Sequence, residues 1–215
     1  MRTFIALPVE VAGSRIEEAA MICRRRLSTE KIAWVDLANV HITLFFLGET
    51  DPAITDGLSR GLETIASGQP PFSLQVKGLG YFGSRSSPRV LWAGISESKP
   101  ALLLQKEVEA LVTKYGFAPE DRDFHPHITL ARLKYLRQPE KLHDVVREFS
   151  DAFFQEMPVD HMVWMESVLT PSGAVYRPLR KFRFREDVNF FYVGQQYGVT
   201  LSYPARHNEE VIFLR

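Results

Sequence analysis

His41-Ile42-Thr43-Leu44 and His127-Ile128-Thr129-Leu130 are the same four residues, repeated once in a chain of 215. The two histidines are 86 positions apart, and each copy lies among apolar residues of the kind that form buried strands. In an extended strand, residues i and i+2 point to the same face. Each copy therefore predicts a strand that presents one imidazole and one hydroxyl side by side, while the aliphatic residues face the core.

Two imidazole–hydroxyl pairs that face each other would surround a small anionic group with an acid, a base and two hydroxyl donors. A histidine pair can supply one imidazole and one imidazolium near neutral pH, because different surroundings separate two pKa values around ~6.5. Fixed donors stabilise the negative charge that develops on phosphate oxygens when a phosphoester is cleaved. The repeat therefore predicts a phosphoester-cleaving site that contains His41, Thr43, His127 and Thr129.

Composition argues against several other classes of protein. Lys plus Arg and Asp plus Glu are both 26, so the chain lacks the overall basic charge of a non-specific nucleic-acid binder. Cys23 is the only cysteine, which excludes an intramolecular disulfide and a multi-cysteine zinc cluster and suits a reducing compartment. No stretch of sequence reaches the ~20 apolar residues of a membrane helix. We expect a cytoplasmic protein that does not associate with membranes.

Hydrophobic periodicity predicts strands and helices in both halves of the chain. Strands are predicted at 3–8, 32–35, 40–47, 72–78, 89–95, around His127, at 159–169 and at 174–184. Helices are predicted at about 9–27, 52–66, 99–115 and 139–149. Residues 84–89 predict a connection or rim loop, or a plain surface turn. Each half therefore offers helices and strands around one His-x-Thr strand.

A metal site is the main chemical alternative to acid–base catalysis. His125 and His127 are also two residues apart, so both could bind one ion with His41 as the third ligand. Against this, no Asp, Glu or Cys lies at ligand spacing beside either motif, and Pro126 perturbs the strand between the two histidines. We therefore predict a site without metal or cofactor and expect His125 to pack beside it.

Arg132 is a further candidate because it follows His127 by five residues. An odd spacing turns a side chain to the opposite face of a regular strand. Only a bulge or the end of the strand would bring the guanidinium round to a phosphate. Spacing alone therefore favours a surface arginine in a salt bridge.

The order of these motifs resembles that of the two-histidine (2H) phosphoesterases, and most closely the LigT-like RNA 2′,3′-cyclic phosphodiesterases, formerly called 2′-5′ RNA ligases. The segments that carry the resemblance are 2–7, 34–35, 39–44, 46–49, 124–132 and 167–176, the last of which looks like the closing hairpin of the family. The resemblance covers residues 1–185 and implies one bilobal domain there. Residues 186–215 remain as a C-terminal extension, which reads as strand-rich.

The resemblance implies an α+β fold of two pseudo-symmetric lobes, whose mostly antiparallel sheets flank a central cleft with the helices outside. It implies hydrolysis of RNA 2′,3′-cyclic phosphate ends to 2′-phosphomonoesters without a metal. His41 would be the general acid toward the ribose O3′, and His127 the general base toward water. Thr43 and Thr129 would donate to the non-bridging oxygens, and Arg132 would contact the phosphate, contrary to its spacing. The expected partners are RNA 3′ ends or nucleotides with a 2′,3′-cyclic phosphate, bound by a monomer.

Two other functions stay open at this point. The same chemistry could act on 2′-5′-linked oligonucleotides or on nucleoside cyclic phosphates. A non-catalytic module could use the cleft only to bind nucleotides or RNA ends, although binding alone does not need two proton-transfer groups.

Overall fold

The computed structural model describes residues 1–96, 98–170 and 173–185, which contain nine β-strands and four α-helices. The strands are β1 (Arg2–Pro8), β2 (Lys31–Trp34), β3 (His41–Glu49), β4 (Phe72–Ser84), β5 (Ser87–Ile95), β6 (His127–Tyr135), β7 (Phe153–Val159), β8 (His161–Thr170) and β9 (Gly173–Arg183). The helices are α1 (Arg15–Arg26), α2 (Thr55–Gly68), α3 (Lys99–Thr113) and α4 (Pro139–Glu148). The extension predicted at 186–215 lies outside the described residues.

The strands form one antiparallel sheet in the order β7-β4-β5-β6-β3-β1-β8-β9, and β2 also pairs with β6. This path consists of two four-stranded halves, each of which ends at a motif strand in the middle. The α+β class and the antiparallel, two-part arrangement are therefore confirmed. The structure adds that the two halves are joined, because β3 and β6 share one cross-strand pair, Ile42 opposite Ile128.

The helices pack across the two halves. Helix α3, which follows β5, packs against β3, while α1, which follows β1, packs against β7 and α4. Helix α2 packs against α3 and β9, and α4 packs against β4. Each half is thus covered partly by a helix that belongs to the other half in sequence. None of the helices in the described ranges has the length and apolar character needed to span a membrane.

A continuous hydrophobic core holds the motif strands in register. Ile42 and Ile128 are both completely buried. Because side chains alternate along a strand, a slip by one residue would turn the histidines into the core and these isoleucines outward. Burial of the aliphatic motif residues therefore keeps the imidazoles and hydroxyls on the opposite, accessible face.

Two predicted boundaries differ from the structure. Helix α1 begins at Arg15 rather than near residue 9, because Gly13 adopts a positive φ of 70° and Ser14 takes extended backbone as the N-cap. Strand β4 continues to Ser84, and β5 begins at Ser87. The segment predicted as a connection or rim loop is therefore mostly strand, with a two-residue hairpin turn.

Candidate active site

The two motif strands are built alike. In both β3 and β6 the histidine and threonine are half-buried, and the isoleucine and leucine of the motif are buried. The two strands share one burial pattern over their first seven positions, which also includes an exposed residue five places after the histidine. The sequence repeat is therefore a structural repeat as well.

The Ile42–Ile128 pair brings the four predicted motif side chains together. Cross-strand neighbours in an antiparallel pair are about 4.5–5.5 Å apart at Cα. Because the strands run in opposite directions, His41 lies on the same side of this pair as Thr129, and Thr43 on the same side as His127. Within the described residues neither threonine hydroxyl has a hydrogen-bond partner in the protein, so both are available to a ligand.

Both imidazoles are held in the same way by the backbone. His41 Nδ1 lies 2.9 Å from the carbonyl oxygen of Asn39, and His127 Nδ1 lies 2.7 Å from that of His125. A carbonyl oxygen can only accept, so Nδ1 donates and carries a proton in each ring. Nε2 is therefore the nitrogen that can take up or release a proton at both positions.

Burial and nearby charge lower the pKa of His41 below its ordinary value. Removal of the ring from water is the largest cause, and the Asn39 carbonyl opposes it. The positive charges of His127 and Arg132 lower the pKa further, so both groups lie close enough to His41 to act on it. The ring therefore favours its neutral form in the free protein.

The pKa of His127 is also lowered, again mainly by burial. The hydrogen bond to the His125 carbonyl opposes this shift, and the His125 charge adds to it. The two imidazoles thus have similar backbone contacts but different electrostatic neighbours.

Aromatic rings position each imidazole, and periodicity gave no indication of them. Phe4 stacks on His41 at 4.7 Å between ring centroids, and Tyr176 meets His41 edge-on at 5.1 Å. Phe82 meets His127 edge-on at 4.8 Å, and Trp92 lies 6.5 Å from it. Phe4 and Tyr176 belong to segments that resemble the 2H family, which is the only signal that marked them.

A β-bulge changes the expected direction of Arg132. In the pairing of β5 with β6, Trp92 is opposite Thr129 and Leu91 is opposite Ala131, so Leu130 is the extra residue. One extra residue shifts the alternation by one, and Arg132 then faces the same side as His127 and Thr129. The salt bridge expected from spacing is wrong for the described residues, where Arg132 has no ion-pair partner.

The same bulge occurs in the other motif strand. In the pairing of β1 with β3, Ala6 is opposite Thr43 and Ile5 is opposite Phe45, so Leu44 is the extra residue. Phe46 therefore occupies the position on β3 that Arg132 occupies on β6. The guanidinium of Arg2 lies 4.9 Å from the centre of the Phe46 ring.

A cavity of about 510 Å³ adjoins His127. Its wall is mostly apolar and includes the rings of Phe82, Trp92 and Phe124. His125 also lines it, which agrees with the expectation that this residue lies beside the site. A hollow of about 640 Å³ elsewhere, against α1 and β2, includes neither motif in its lining.

The donor set for the metal alternative is not assembled. Within residues 1–96, 98–170 and 173–185, no three His, Cys, Asp or Glu side chains come close enough together to hold a metal ion. His125 and His127 are adjacent along the chain, but the His125 side chain is exposed while His127 is half-buried.

Comparison with known proteins agrees with this architecture. Residues 8–169 match the 2′-5′ RNA ligase superfamily. The chain is 36% identical to the RNA 2′,3′-cyclic phosphodiesterase of Thermotoga maritima over 186 residues, which are 86% of this chain and 96% of that protein. It is 34% identical to the protein of the same name from Archaeoglobus fulgidus over 182 residues, 85% of this chain and 99% of that one.

Solved structures show the same similarity. A crystal structure of a Thermus thermophilus protein superposes with a TM-score of 0.72 and 27% identity, covering 87% of this chain and 100% of that one. E. coli LigT in complex with 3′-AMP superposes with a TM-score of 0.67 and 25% identity, covering 85% of this chain and 97% of that one.

Proposed function

The chain belongs to the 2′-5′ RNA ligase superfamily, and from that premise we propose that it hydrolyses RNA 2′,3′-cyclic phosphate ends to 2′-phosphomonoesters without a metal. The observation that carries this proposal is the convergence of two His–Thr pairs on one face, around Ile42 and Ile128. Relatives that align over most of the chain are named for this activity. The arrangement offers two proton-transfer groups and two hydroxyl donors to one phosphate.

His127 and His41 act on opposite sides of the phosphorus. His127 Nε2 accepts a proton from water, and the water oxygen attacks phosphorus in line with the bond to O3′. The P–O3′ bond breaks, and a protonated His41 Nε2 gives its proton to O3′. The phosphate stays on O2′, and the two rings have exchanged protonation states.

The hydroxyls and the guanidinium stabilise the charge of the transition state. Thr43 and Thr129 donate to the two non-bridging oxygens. Arg132, turned to the same face by the bulge at Leu130, supplies a positive charge to the phosphate. The strand backbone places all three side chains on one face before the substrate binds, which limits the reorganisation needed during the reaction.

Substrate charge offsets the lowered pKa of His41. In the free protein, burial together with His127 and Arg132 favours the neutral ring. A phosphodiester brings a negative charge to the same place and pairs with Arg132. Binding of substrate therefore raises the pKa of His41 and favours the protonated ring that the acid role requires.

The product tests this proposal. We expect an oligonucleotide with a 2′,3′-cyclic phosphate end to be converted into the 2′-phosphomonoester, followed by phosphorus NMR. A 3′-phosphomonoester would mean that O2′ leaves, and the assigned roles of the two histidines would then be wrong. Absence of turnover together with tight binding would favour the non-catalytic module.

The cavity beside His127 favours a second candidate substrate. With the ribose on the His41 side, this cavity lies on the side from which water attacks. Its aromatic wall could hold the nucleoside that leaves from a 2′-5′-linked oligonucleotide. In that reaction the neighbouring O3′ hydroxyl gives its proton to His41 Nε2 and attacks phosphorus, the P–O5′ bond breaks, and a protonated His127 Nε2 gives its proton to O5′. Incubation with 2′-5′ oligoadenylate tests this, since cleavage at a rate similar to that of the cyclic phosphate would support the second candidate.

We also propose that the chain acts as a monomer in the cytoplasm. Both His–Thr pairs come from one chain, so a second copy is not needed to complete the site. The cytoplasmic location is proposed because the one cysteine, Cys23, suits a reducing compartment. Its thiol is completely buried, and burial raises its pKa to about 11, so it stays protonated. Light scattering during size-exclusion chromatography tests the oligomeric state, and a dimer at assay concentration would contradict it.

A further inference from the structure

Strand β9 carries a row of cations on one face. Residues 173–185 include no acidic residue. Lys181, Arg183 and Arg185 are exposed, whereas the intervening Phe182 and Phe184 are 0% and 4% exposed. Because side chains alternate along a strand, Lys181 and Arg183 point to the same side of β9. The buried Phe184 continues this alternation to Arg185, which lies two residues beyond the end of the strand. We call Lys181, Arg183 and Arg185 the β9 cation row.

This row lies on the same face of the sheet as the catalytic side chains. Cross-strand partners share a face, and the register aligns four residues in one line across the sheet: Thr43, Ala6, Val163 and Lys181. Three strand spacings separate the ends of that line, about 14 Å in all. Strand β9 also reaches the site itself, because its Tyr176 ring lies 5.1 Å from the ring of His41.

The charge of the row is only partly neutralised. Arg183 pairs with Asp160 at 3.8 Å, and Asp160 is also hydrogen-bonded to His161. Lys181 and Arg185 have no ion-pair partner among the described residues, although the charge of Asp160 also interacts with that of Lys181. Two other acidic residues near β9 are next to cations that do not belong to the row. Glu166 is opposite Arg177, and Glu63 of α2 pairs with Arg180.

The reaction geometry places the body of the RNA toward this row, an argument that rests on the proposed function. In-line attack puts water on the His127 side of phosphorus and O3′ on the His41 side. The terminal ribose, and through its O5′ every upstream nucleotide, is therefore on the His41 side. Strand β9 lies in that half of the sheet, beyond β1 and β8.

We propose that the β9 cation row binds backbone phosphates of the RNA upstream of the cyclic end. Positive side chains along a groove, combined with aromatic rings, are the usual means of holding single-stranded nucleic acid without reading its sequence. At about 14 Å from Thr43, Lys181 would contact a phosphate beyond the terminal nucleotide, and Arg183 and Arg185 would contact phosphates further upstream. The enzyme would therefore prefer cyclic-ended oligonucleotides to nucleoside 2′,3′-cyclic phosphates.

A double variant, Lys181→Gln with Arg185→Gln, tests this while it keeps the Arg183–Asp160 pair. The assay compares kcat/KM for a ten-nucleotide RNA with a cyclic end and for adenosine 2′,3′-cyclic phosphate. We expect a loss on the order of tenfold for the RNA, with the mononucleotide unchanged. The salt dependence for the RNA should become shallower by ~1.4 in log–log slope, at ~0.7 for each lost phosphate contact. The matched control is Lys106→Gln with Lys114→Gln, which removes two exposed cations from α3 and its C-cap.

Each outcome bears on the proposal separately from the proposed function. An unchanged rate on the RNA, or equal losses on both substrates, would overturn the proposal. Binding of the same RNA with a 2′-phosphate end, followed by fluorescence anisotropy, tests it without turnover. If the wild-type protein hydrolyses neither substrate, the proposed function fails, and a weaker affinity of the double variant than of the α3 control still supports the β9 cation row.

Discussion

The β3 half and the β6 half of the sheet share a backbone but differ in what surrounds it. Each holds its histidine through Nδ1, presents its threonine two residues later and bulges at the motif leucine. They differ at the residue that the bulge turns toward the site, which is Phe46 on β3 and Arg132 on β6. A duplicated scaffold thus places equivalent atoms, and one substitution makes the site electrostatically unequal.

Each half of the sheet contributes one histidine, and substitution of either histidine should have the largest effect on activity. We expect His41→Ala and His127→Ala each to lower kcat by about 10²–10⁴-fold, because each removes one proton-transfer partner. The double variant should lose little more than either single variant, since the two groups act as a unit. Steady-state kinetics measure this, with circular dichroism as the check on folding; full activity in either single variant would rule out the paired mechanism.

The threonines test whether the two halves contribute equally. Thr43→Val and Thr129→Val keep side-chain shape and remove one hydroxyl donor each. We expect each to lower kcat by about 10²-fold, the lower end of the range for one donor to an oxyanion. Thr64→Val on α2 is the control, since that hydroxyl donates to the Arg60 carbonyl on an exposed helix. If only one of the two threonine variants has a lower kcat, the two strands are alike in structure but do not contribute equally to catalysis.

Arg132 tests the part that differs. Arg132→Gln should mainly raise KM, by about tenfold for one lost charged contact. Its positive charge lowers the pKa of His41, so its removal raises that pKa and keeps His41 protonated to higher pH. The alkaline limb of the plot of kcat/KM against pH should therefore move to higher pH. Phe46→Leu is the control and should change neither KM nor the pH of the alkaline limb. The same shift in this variant as in Arg132→Gln would contradict the electrostatic explanation.

Gly80 tests the packing behind His127 and should show the smallest effect on activity. A Cβ at this position would come within 2.2 Å of the Trp92 ring. Gly80→Ala should therefore cost about 1–3 kcal/mol of folding stability and displace the ring. We expect a lower melting temperature and a several-fold lower kcat/KM. Gly68→Ala, which meets no atom within 4 Å, should do neither, and equal effects in both would contradict the packing argument.

Much of the site was readable from the sequence because it depends on alternation along a strand. His41, Thr43, His127 and Thr129 are placed by period two alone, and the structure brings them together. Period two alone does not place Arg132 on this face, because a bulge shifts the alternation and cannot be recognised from residue spacing. Only the resemblance to the 2H family predicts that Arg132 contacts the phosphate.

The fold shows the same division. Most helices and strands follow from periodicity, but the sequence analysis did not predict β7, which contains Pro158. At the end of the sheet path, where β7 pairs only with β4 among the described strands, a proline is tolerated. The return of β8 and β9 to pair beside β1 depends on contacts between distant parts of the chain, which local patterns do not contain.

Hydrolysis of an RNA 2′,3′-cyclic phosphate end in excess EDTA tests the central claim most directly. If the two motif strands form one acid–base site, the wild-type rate is unchanged by EDTA, and His41→Ala and His127→Ala are each nearly inactive under the same conditions. Loss of wild-type activity on chelation, restored by adding a divalent metal, would contradict it.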